Sequence, residues 1–576
     1  MMENQKKEKN QEVINYSSAQ LLARAVSRLY PGAVLGGEAS HQQGFYAEFL
    51  LPHSIKEKEL KDIEAEMERI LDQGEKWDCI SLSPKDAADL FSEKGEFLKA
   101  EQLREMDGES VSVCRHGEYM NISNESLFIS DIKAFKLHAV AGSYWKGDKS
   151  GHVLQRISGA AFASRKEMVL FEKEQEELKK RDHRKIGKEM ELFLFSEEAP
   201  GMPFFLPNGQ MMRNELQSLL REVQGAAGYQ EVSSPFMMNE RLWRQSGHWD
   251  HYHENMYFSN VDEETFALKP MNCPGHMIMF NQQLFSYRDL PVRYAEFGQV
   301  HRHEYSGALN GLLRVRTFCQ DDAHLFVRPD QIQEEVKSVL GMIDYVYRTL
   351  GFDYSVELST RPENSMGDDE LWQDAEAALQ GVLDEMGMPY RINEGDGAFY
   401  GPKIDFHIQD AMKRSHQCAT VQLDFQMPVK FDCSYISEKN EKERPVVIHR
   451  AIAGSLDRFL GILIEHFAGV FPLWLAPVQA VILPVAEVHL GYAEEVKNKL
   501  AEKGIRVQLD ASGEKLGYKI RKAQKSRVPY MIVLGDQEKS AGRVNVRKHG
   551  EKQSLSMEID QLVDHLMEKI EKRALS

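Results

Sequence analysis

No apolar run in this 576-residue chain approaches the roughly 20 residues that a membrane-spanning helix needs. The opening residues, MMENQKKEKNQEV, are polar and lack the apolar stretch of a secretory signal. Cysteine is scarce. The six (Cys79, Cys114, Cys273, Cys319, Cys418 and Cys433) show no paired spacing, which points to a reducing, cytoplasmic setting with thiols free or metal-bound. Positive charge is in deficit: the net charge of -18 argues against indiscriminate binding to polyanions. A local basic face can still grip phosphates on an acidic protein. Internal repeats and low-complexity tracts are also missing.

A chain this long exceeds one core, so three or four domains are expected. Residues 14–164 mix the helical stretch SAQLLARAVSRLYP, short strand-like runs and the charged helix KEKELKDIEAEMERILDQ. Across 165–181 the apolar residues are too sparse for a buried helix, which reads as a solvated connector. Residues 182–472 are rich in aromatics, glycine and histidine. Their strand-like runs VRYAEFGQV, VRTFCQDDAHLFV, GAFYGPKIDFHI and CATVQLDF lack the strand–helix rhythm of a doubly wound sheet and read as antiparallel. Residues 473–576 do have that rhythm, from the strand VQAVILPV through the helix LGYAEEVKNKLAEKG to a last hairpin and helix.

The chemistry concentrates in the middle region. KPMNCPGHM, residues 269–277, holds Cys273 between two prolines, as a nucleophile, a metal ligand or core filler. His324 in TFCQDDAHLF and His449 in PVVIHRAIAGS each follow a strand-like run. One Cys and two His make a three-ligand set with an open fourth position, as in catalytic zinc sites, though 20 histidines allow many trios. His248, His251 and His253 in GHWDHYHENMY form a second candidate; the last two alternate as on a strand, and a surface loop is the favoured reading. Arg302 and Glu304 stand at the end of a strand, followed by Arg314 and Arg316. An Arg fork there can hold a phosphate, Glu304 can accept from a base amino group, and Phe318 offers a ring for stacking.

These segments are ordered as in a known family. FGQVHRHEYSG with RVRTFCQDD resembles motif 2 of class II aminoacyl-tRNA synthetases, AGSLDRFLGILIE resembles motif 3, and MMRNELQSLLREVQGAAGYQEVSSPFM with Pro235 resembles motif 1. KPMNCPGH, GAFYGPKIDF, TVQLDF and VIHRAI together resemble the threonyl-tRNA synthetase family, from about residue 14 to the end. The resemblance implies an α+β multidomain fold: an α+β editing-like domain (14–164), a linker helix (165–181), a class II catalytic core on an antiparallel sheet (182–472) and an α/β anticodon-binding domain (473–576). It implies one Zn²⁺ per subunit on Cys273, His324 and His449. Arg302 matches the arginine on the α-phosphate of ATP, Glu304 faces the adenine amino group, and Phe318 and Arg458 sandwich the adenine. Lys403, Gln417 and Thr420 match further nucleotide contacts, with Arg314 among the ATP-binding residues. Arg302, Arg458 and Lys403 carry the catalytic roles, and Mg²⁺ accompanies ATP. Met271, Gln320, Asp322, Tyr400, Gln422 and Ser455 match the amino-acid pocket. Arg521, Arg527, Glu538 and Arg547 match base-reading positions for tRNA(Thr). A homodimer formed through motif 1 is implied as well.

The implied activity is ligation of L-threonine to tRNA through an adenylate. Threonine and valine are nearly isosteric, and an apolar pocket separates such a pair by only about a hundredfold. A metal with an open position can demand the hydroxyl that valine lacks. Two alternatives to bulk translation are a paralogue serving inhibitor resistance or threonyl supply to a biosynthetic pathway, and a tRNA-binding regulator.

The chain departs from the family in three places. The match starts near residue 14, which implies that the small ubiquitin-like domain with which the family usually begins is missing. The family's editing site carries His-x-x-x-His and Cys-x-x-x-His. Here Tyr16 and Gln20 stand at the histidine positions, Ser123 and Leu127 at the second motif, and Asn121 at a usual aspartate. His116 and His138 fall outside the motif positions. With no imidazole to act as base, the domain is expected to be inactive in hydrolysis. Gly513 replaces an asparagine that reads a base edge, and the loss of such a contact costs about 1–3 kcal/mol of discrimination.

Overall fold

The computed structural model describes residues 2–41, 44–74, 77–123, 132–147, 151–363 and 365–575, so Leu127 lies outside the described residues. The chain forms two compact units, Met1–Glu177 and Leu178–Ser576.

In the first unit the helix Met2–Leu29 packs on an antiparallel sheet whose strands run in the order Val34–His41, Gly44–Leu50, Val153–Phe162 and Ala134–Tyr144. Leu22, Ala23, Ala25 and Val26 are all fully buried, because the helix sits between that sheet and the helix Leu60–Gln73. The latter is amphipathic: Leu60, Ile63, Met67 and Ile70 recur at helical spacing and go inward, and Gly74 ends it at φ +62°, where a side chain would be strained. A second sheet, Asp78–Leu82, Val111–His116 and Tyr119–Ile122, is backed by the helices Pro84–Glu93 and Phe97–Arg104.

That second sheet corrects the expectation of six unpaired thiols. Cys79 stands opposite Cys114 on neighbouring antiparallel strands, and the two form a disulfide; the other four cysteines are free and buried. Strand register made the pair, and spacing along the chain carries no trace of register.

The helix Arg165–Arg181 buries none of its residues. Beyond it the second unit is built on an eight-stranded sheet, in the order Gln230–Glu231, Val292–His301, Thr317–Val327, Val446–Ser455, Ser415–Asp424, Lys403–Gln409, Asp353–Ser359 and Tyr390–Asn393. The inner pairings are antiparallel, and only the two short edge strands pair in parallel. The helices Pro207–Ala226, Ile332–Thr349, Asp369–Glu385 and Leu456–His466 give their apolar residues to one core with this sheet. The last 100 or so residues form a five-stranded sheet with parallel pairing among Val507–Leu509, Ala480–Pro484 and Tyr530–Leu534, continued antiparallel by Arg543–Lys548 and Leu555–Glu558. A six-residue helix, Asp536–Ala541, lies between the last parallel strand and the hairpin, where the sequence reading had none.

The GHWDHYHENMY segment is neither strand nor loop. It forms the helix His248–Tyr252 and a turn of 3₁₀ helix, His253–Asn255. Gly247, at φ +84°, ends one helix and starts the next. His251 stacks on Phe399 and His253 on Phe258, so these rings pack instead of chelating.

Candidate active site

The strand Thr317–Val327 explains how one stretch of sequence serves a core and a site. Side chains alternate across a strand. Cys319, Ala323, Leu325 and Val327 enter the apolar core, while Phe318, Gln320, Asp322 and His324 share the opposite face. The neighbouring strand sets His449 opposite His324, and the strand beyond sets Gln422 opposite His449 and Lys403 opposite Gln422. Cys273 arrives from elsewhere, as the first residue of the helix Cys273–Phe280.

Cys273, His324 and His449 are buried, and their donor atoms lie within 4.8 Å of one another. Burial pushes the Cys273 thiol up, and the neighbouring His449 pulls it back. Burial also disfavours charge on His449, yet Cys273 and Asp424 raise it to about 10. His324 is driven well below its ordinary value by burial and by His449. Nε2 of His449 lies 2.7 Å from Asp424 Oδ2, and Nδ1 of His324 lies 2.8 Å from His276 Nδ1. Nε2 of His324 is buried with no hydrogen-bond partner. A thiol, two imidazoles and an orphaned ring nitrogen are the donor set a zinc ion takes. A second trio, Asp182, His183 and Glu465, is different: His183 uses Nδ1 on Glu465 at 2.6 Å and accepts the Leu312 amide at Nε2, so both its ring nitrogens are engaged in packing.

Around the donor cluster opens a cavity of about 470 Å³. Met271, Gln320, Asp322, Tyr400, Gln422 and Ser455, the residues matched to an amino-acid pocket, all line it. Burial raises the Asp322 carboxyl, and a 2.9 Å hydrogen bond from Asn272 stabilises its charged form. Lys403, Gln417 and Thr420 line the same cavity. Lys403 pairs with Asp405 at 2.7 Å and Asp396 at 3.1 Å, and Thr420 donates to Asp405.

A second cavity of about 660 Å³ shares Arg302, Phe318, Ser455 and Arg458 with the first. Arg302 lies 5.2 Å from the centre of the Phe318 ring, and its Nε donates to the Pro270 carbonyl. The Arg458 amide donates to Ser455 Oγ at the helix N-terminus, while its buried Nε has no partner. Glu304 and Arg314 line this second cavity and are ion-paired with each other at 2.9 Å.

The tRNA positions are less gathered. Arg521 donates to the Gly517 carbonyl of its own helix, Glu538 accepts the Gly535 amide, and Arg547 donates to the Glu551 carbonyl. Arg527 instead pairs with Glu189 at 3.0 Å. Gly513 lines a separate cavity of about 420 Å³ with Glu487, Glu514 and Lys519.

In the first unit, the described positions where an editing site would stand carry a hydrogen-bonded network. Gln20 donates to Tyr16 Oη and Glu38, and accepts from Asn121 and Tyr119. Asn121 also donates to Glu38 at 2.9 Å and accepts the Ile122 amide, and Lys99 closes the group with an ion pair to Glu38 at 3.2 Å. Ser123 is buried, and His116 packs against Trp77 with Arg24 at its Nδ1.

Sequence reading missed the residues behind the site. Asn272 and His276 lie inside KPMNCPGHM, Asp424 stands two residues past Gln422 on the same strand, and Glu296 lies on the strand paired with that of His324. The period-2 position of Asp424 was a usable signal; nothing in the sequence ties Glu296 to His276.

An antiparallel sheet carrying a polar cleft with arginines at strand and helix ends is the architecture of a class II aminoacyl-tRNA synthetase core. Residues 257–467 match the model of the tRNA synthetase class II core domain (G, H, P, S and T), and residues 479–569 match the anticodon binding domain. Threonine–tRNA ligase 2 of Bacillus subtilis is 56% identical over 567 residues, covering 98% of this chain and 89% of the relative. Threonine–tRNA ligase of Clostridioides difficile is 49% identical over 565 residues, 98% of this chain and 88% of the relative. Among solved structures, the RNA binding domain of threonyl-tRNA synthetase from Cryptosporidium parvum is similar with a TM-score of 0.66 and 43% identity, over 67% of this chain and 98% of that one. The chain belongs to the threonine–tRNA ligase family. Its fold is a class II catalytic core with an editing-like N-terminal domain and a C-terminal anticodon-binding domain.

Proposed function

We propose that this protein activates L-threonine with ATP and transfers the threonyl group to the 3′ end of tRNA(Thr), as a zinc-bearing homodimer in the cytoplasm that does not itself hydrolyse seryl-tRNA. One observation carries the reading: a buried Cys–His–His trio with an unpartnered imidazole nitrogen lies against a cavity continuous with Arg302 and Arg458.

Cys273, His324 and His449 would hold a Zn²⁺, which would supply a Lewis acid for the amino group and hydroxyl of threonine. Asp322, steadied by Asn272, accepts from the amino group. Met271, Gln320, Tyr400, Gln422 and Ser455 enclose the side chain. ATP enters with its Mg²⁺. Arg302 holds the α-phosphate, Phe318 and Arg458 flank the adenine, Glu304 accepts from its amino group, and Arg314, Lys403, Gln417 and Thr420 complete the nucleotide contacts. The threonine carboxylate attacks the α-phosphorus and pyrophosphate leaves; the terminal ribose hydroxyl of tRNA then attacks the adenylate carbonyl, loses its proton and expels AMP. No side-chain nucleophile is needed; catalysis is orientation and neutralisation of developing charge.

Residues 182–472 form the catalytic domain in this reading and 473–576 the anticodon-binding domain. Arg521, Arg527, Glu538 and Arg547 read anticodon bases, Arg527 from a position where it is also paired with Glu189. Exposed Phe236 and Met237, in the motif 1 segment, support dimerisation there. The closed network at Gln20, Glu38, Lys99 and Asn121 supports the absence of hydrolysis in residues 14–164.

The test is ATP–pyrophosphate exchange with threonine, valine and serine, followed by charging of tRNA(Thr). Threonine is expected to be activated and charged, and valine rejected. Failure to charge any tRNA, or equal use of valine, overturns the proposal.

A further inference from the structure

KPMNCPGHM supplies Cys273 to the donor cluster but leaves Lys269 and His276 without a task. Both are fully buried. Lys269 Nζ donates to Glu296 Oε1 at 2.8 Å and to Ser234 Oγ at 2.7 Å. The Ser234 amide and hydroxyl donate to Glu296 as well, at 3.0 and 2.8 Å. His276 bridges onward: its Nε2 is 3.0 Å from Glu296 Oε2, and its Nδ1 is 2.8 Å from His324 Nδ1, with the two rings nearly perpendicular.

The directions of these bonds follow from the atoms. An ionised carboxylate ringed by donors only accepts, so His276 Nε2 carries the proton toward Glu296. In the neutral ring Nδ1 then has a lone pair, and the proton shared by the two Nδ1 atoms belongs to His324. That leaves His324 Nε2 with a bare lone pair. It is also the ring nitrogen that is buried without a partner.

We propose that His276, held by Glu296 and Lys269, is a positioning residue that fixes the tautomer and ring orientation of His324 so that Nε2 faces the metal. The inference rests on the zinc reading above. His449 has its own support in Asp424, so the two imidazoles are oriented independently. Partners behind a metal ligand act in this way in general, and their loss weakens metal binding about 10–100-fold.

The test compares His276→Asn with His276→Gln. Asparagine puts its amide oxygen near the place of Nδ1 and keeps an acceptor for His324. Glutamine reaches the place of Nε2 and leaves that acceptor missing. Zinc affinity is measured by competition with a chelating chromophore, and the visible spectrum of cobalt-substituted protein reports ligand geometry. H276N is expected to stay within about threefold of the parent, and H276Q to fall about 10–100-fold with altered cobalt bands. Equal affinity in all three proteins, or equal loss in both variants, overturns the assignment. A parent protein that binds no zinc overturns the zinc reading as well. Selective ¹⁵N-histidine NMR of the zinc-loaded parent needs no variant: His324 bound through Nε2 with a protonated Nδ1 supports the proposal, and binding through Nδ1 refutes it.

Discussion

Gln20 and His324 are equally buried, yet they are finished differently. Gln20, in the first unit, has both ends of its amide engaged by protein, and so has its neighbour Asn121. His324, in the second, keeps one ring nitrogen without a partner, beside a thiol and another imidazole. A polar atom buried without a partner carries a penalty of about 1–3 kcal/mol, which a bound ion or water removes. The comparison sets a donor cluster with an unpartnered ring nitrogen against amides that are paired within the protein.

Four measurements test that contrast. Cys273→Ala is expected to cost the largest effect, about 10²–10³-fold or more in threonine-dependent ATP–pyrophosphate exchange, the scale of removing one preorganised electrostatic contact. Unchanged exchange would show that the open cluster binds nothing of consequence. Lys99→Met acts on the closed network and leaves Glu38 buried without its cation. The expected loss is about 3–5 kcal/mol of stability in the first unit, read by chemical denaturation, with exchange activity intact. A fall in exchange matching that of Cys273→Ala would erase the distinction.

Glu296 gives a pH test. Burial opposes its charge, but hydrogen bonds from His276, Lys269 and Ser234 hold its carboxyl at about 2, below the ordinary carboxylate range. A depressed value stabilises the fold fully above the unfolded pKa of about 4.5, and that contribution, about 3 kcal/mol, fades as pH falls toward 2. Glu296→Gln is expected to flatten the stability–pH curve in that window; an unaltered slope contradicts the role given to the carboxylate. The smallest effect is a null. The protein is expected to leave seryl-tRNA(Thr) decaying no faster than in buffer, while discriminating against serine in charging by only about 10–200-fold, the worth of one methyl group. Rapid deacylation would reopen the network around Gln20.

The site residues of the second unit were legible through the resemblance of ordered motifs to a known family; strand alternation explains why Phe318, Gln320, Asp322 and His324 share one face, and it would have pointed from Gln422 to Asp424, which was missed. The strand–helix rhythm of residues 473–576 was equally plain, apart from the short helix Asp536–Ala541. The GHWDHYHENMY segment was misread because one glycine at positive φ lets two helices abut, which periodicity does not register. The Cys79–Cys114 bond was invisible because the register between two strands created it.

Spacing along single segments was enough to read the antiparallel strands of the middle region and the strand–helix rhythm of residues 473–576, and the order of the motifs was enough to name residues at the site. Packing in three dimensions is what sets His324 opposite His449, Glu296 against His276, and Gln20, Asn121, Glu38 and Lys99 against one another. Those contacts join segments far apart in the chain, and the register of packed strands and helices that sets them leaves no local mark on any one of them.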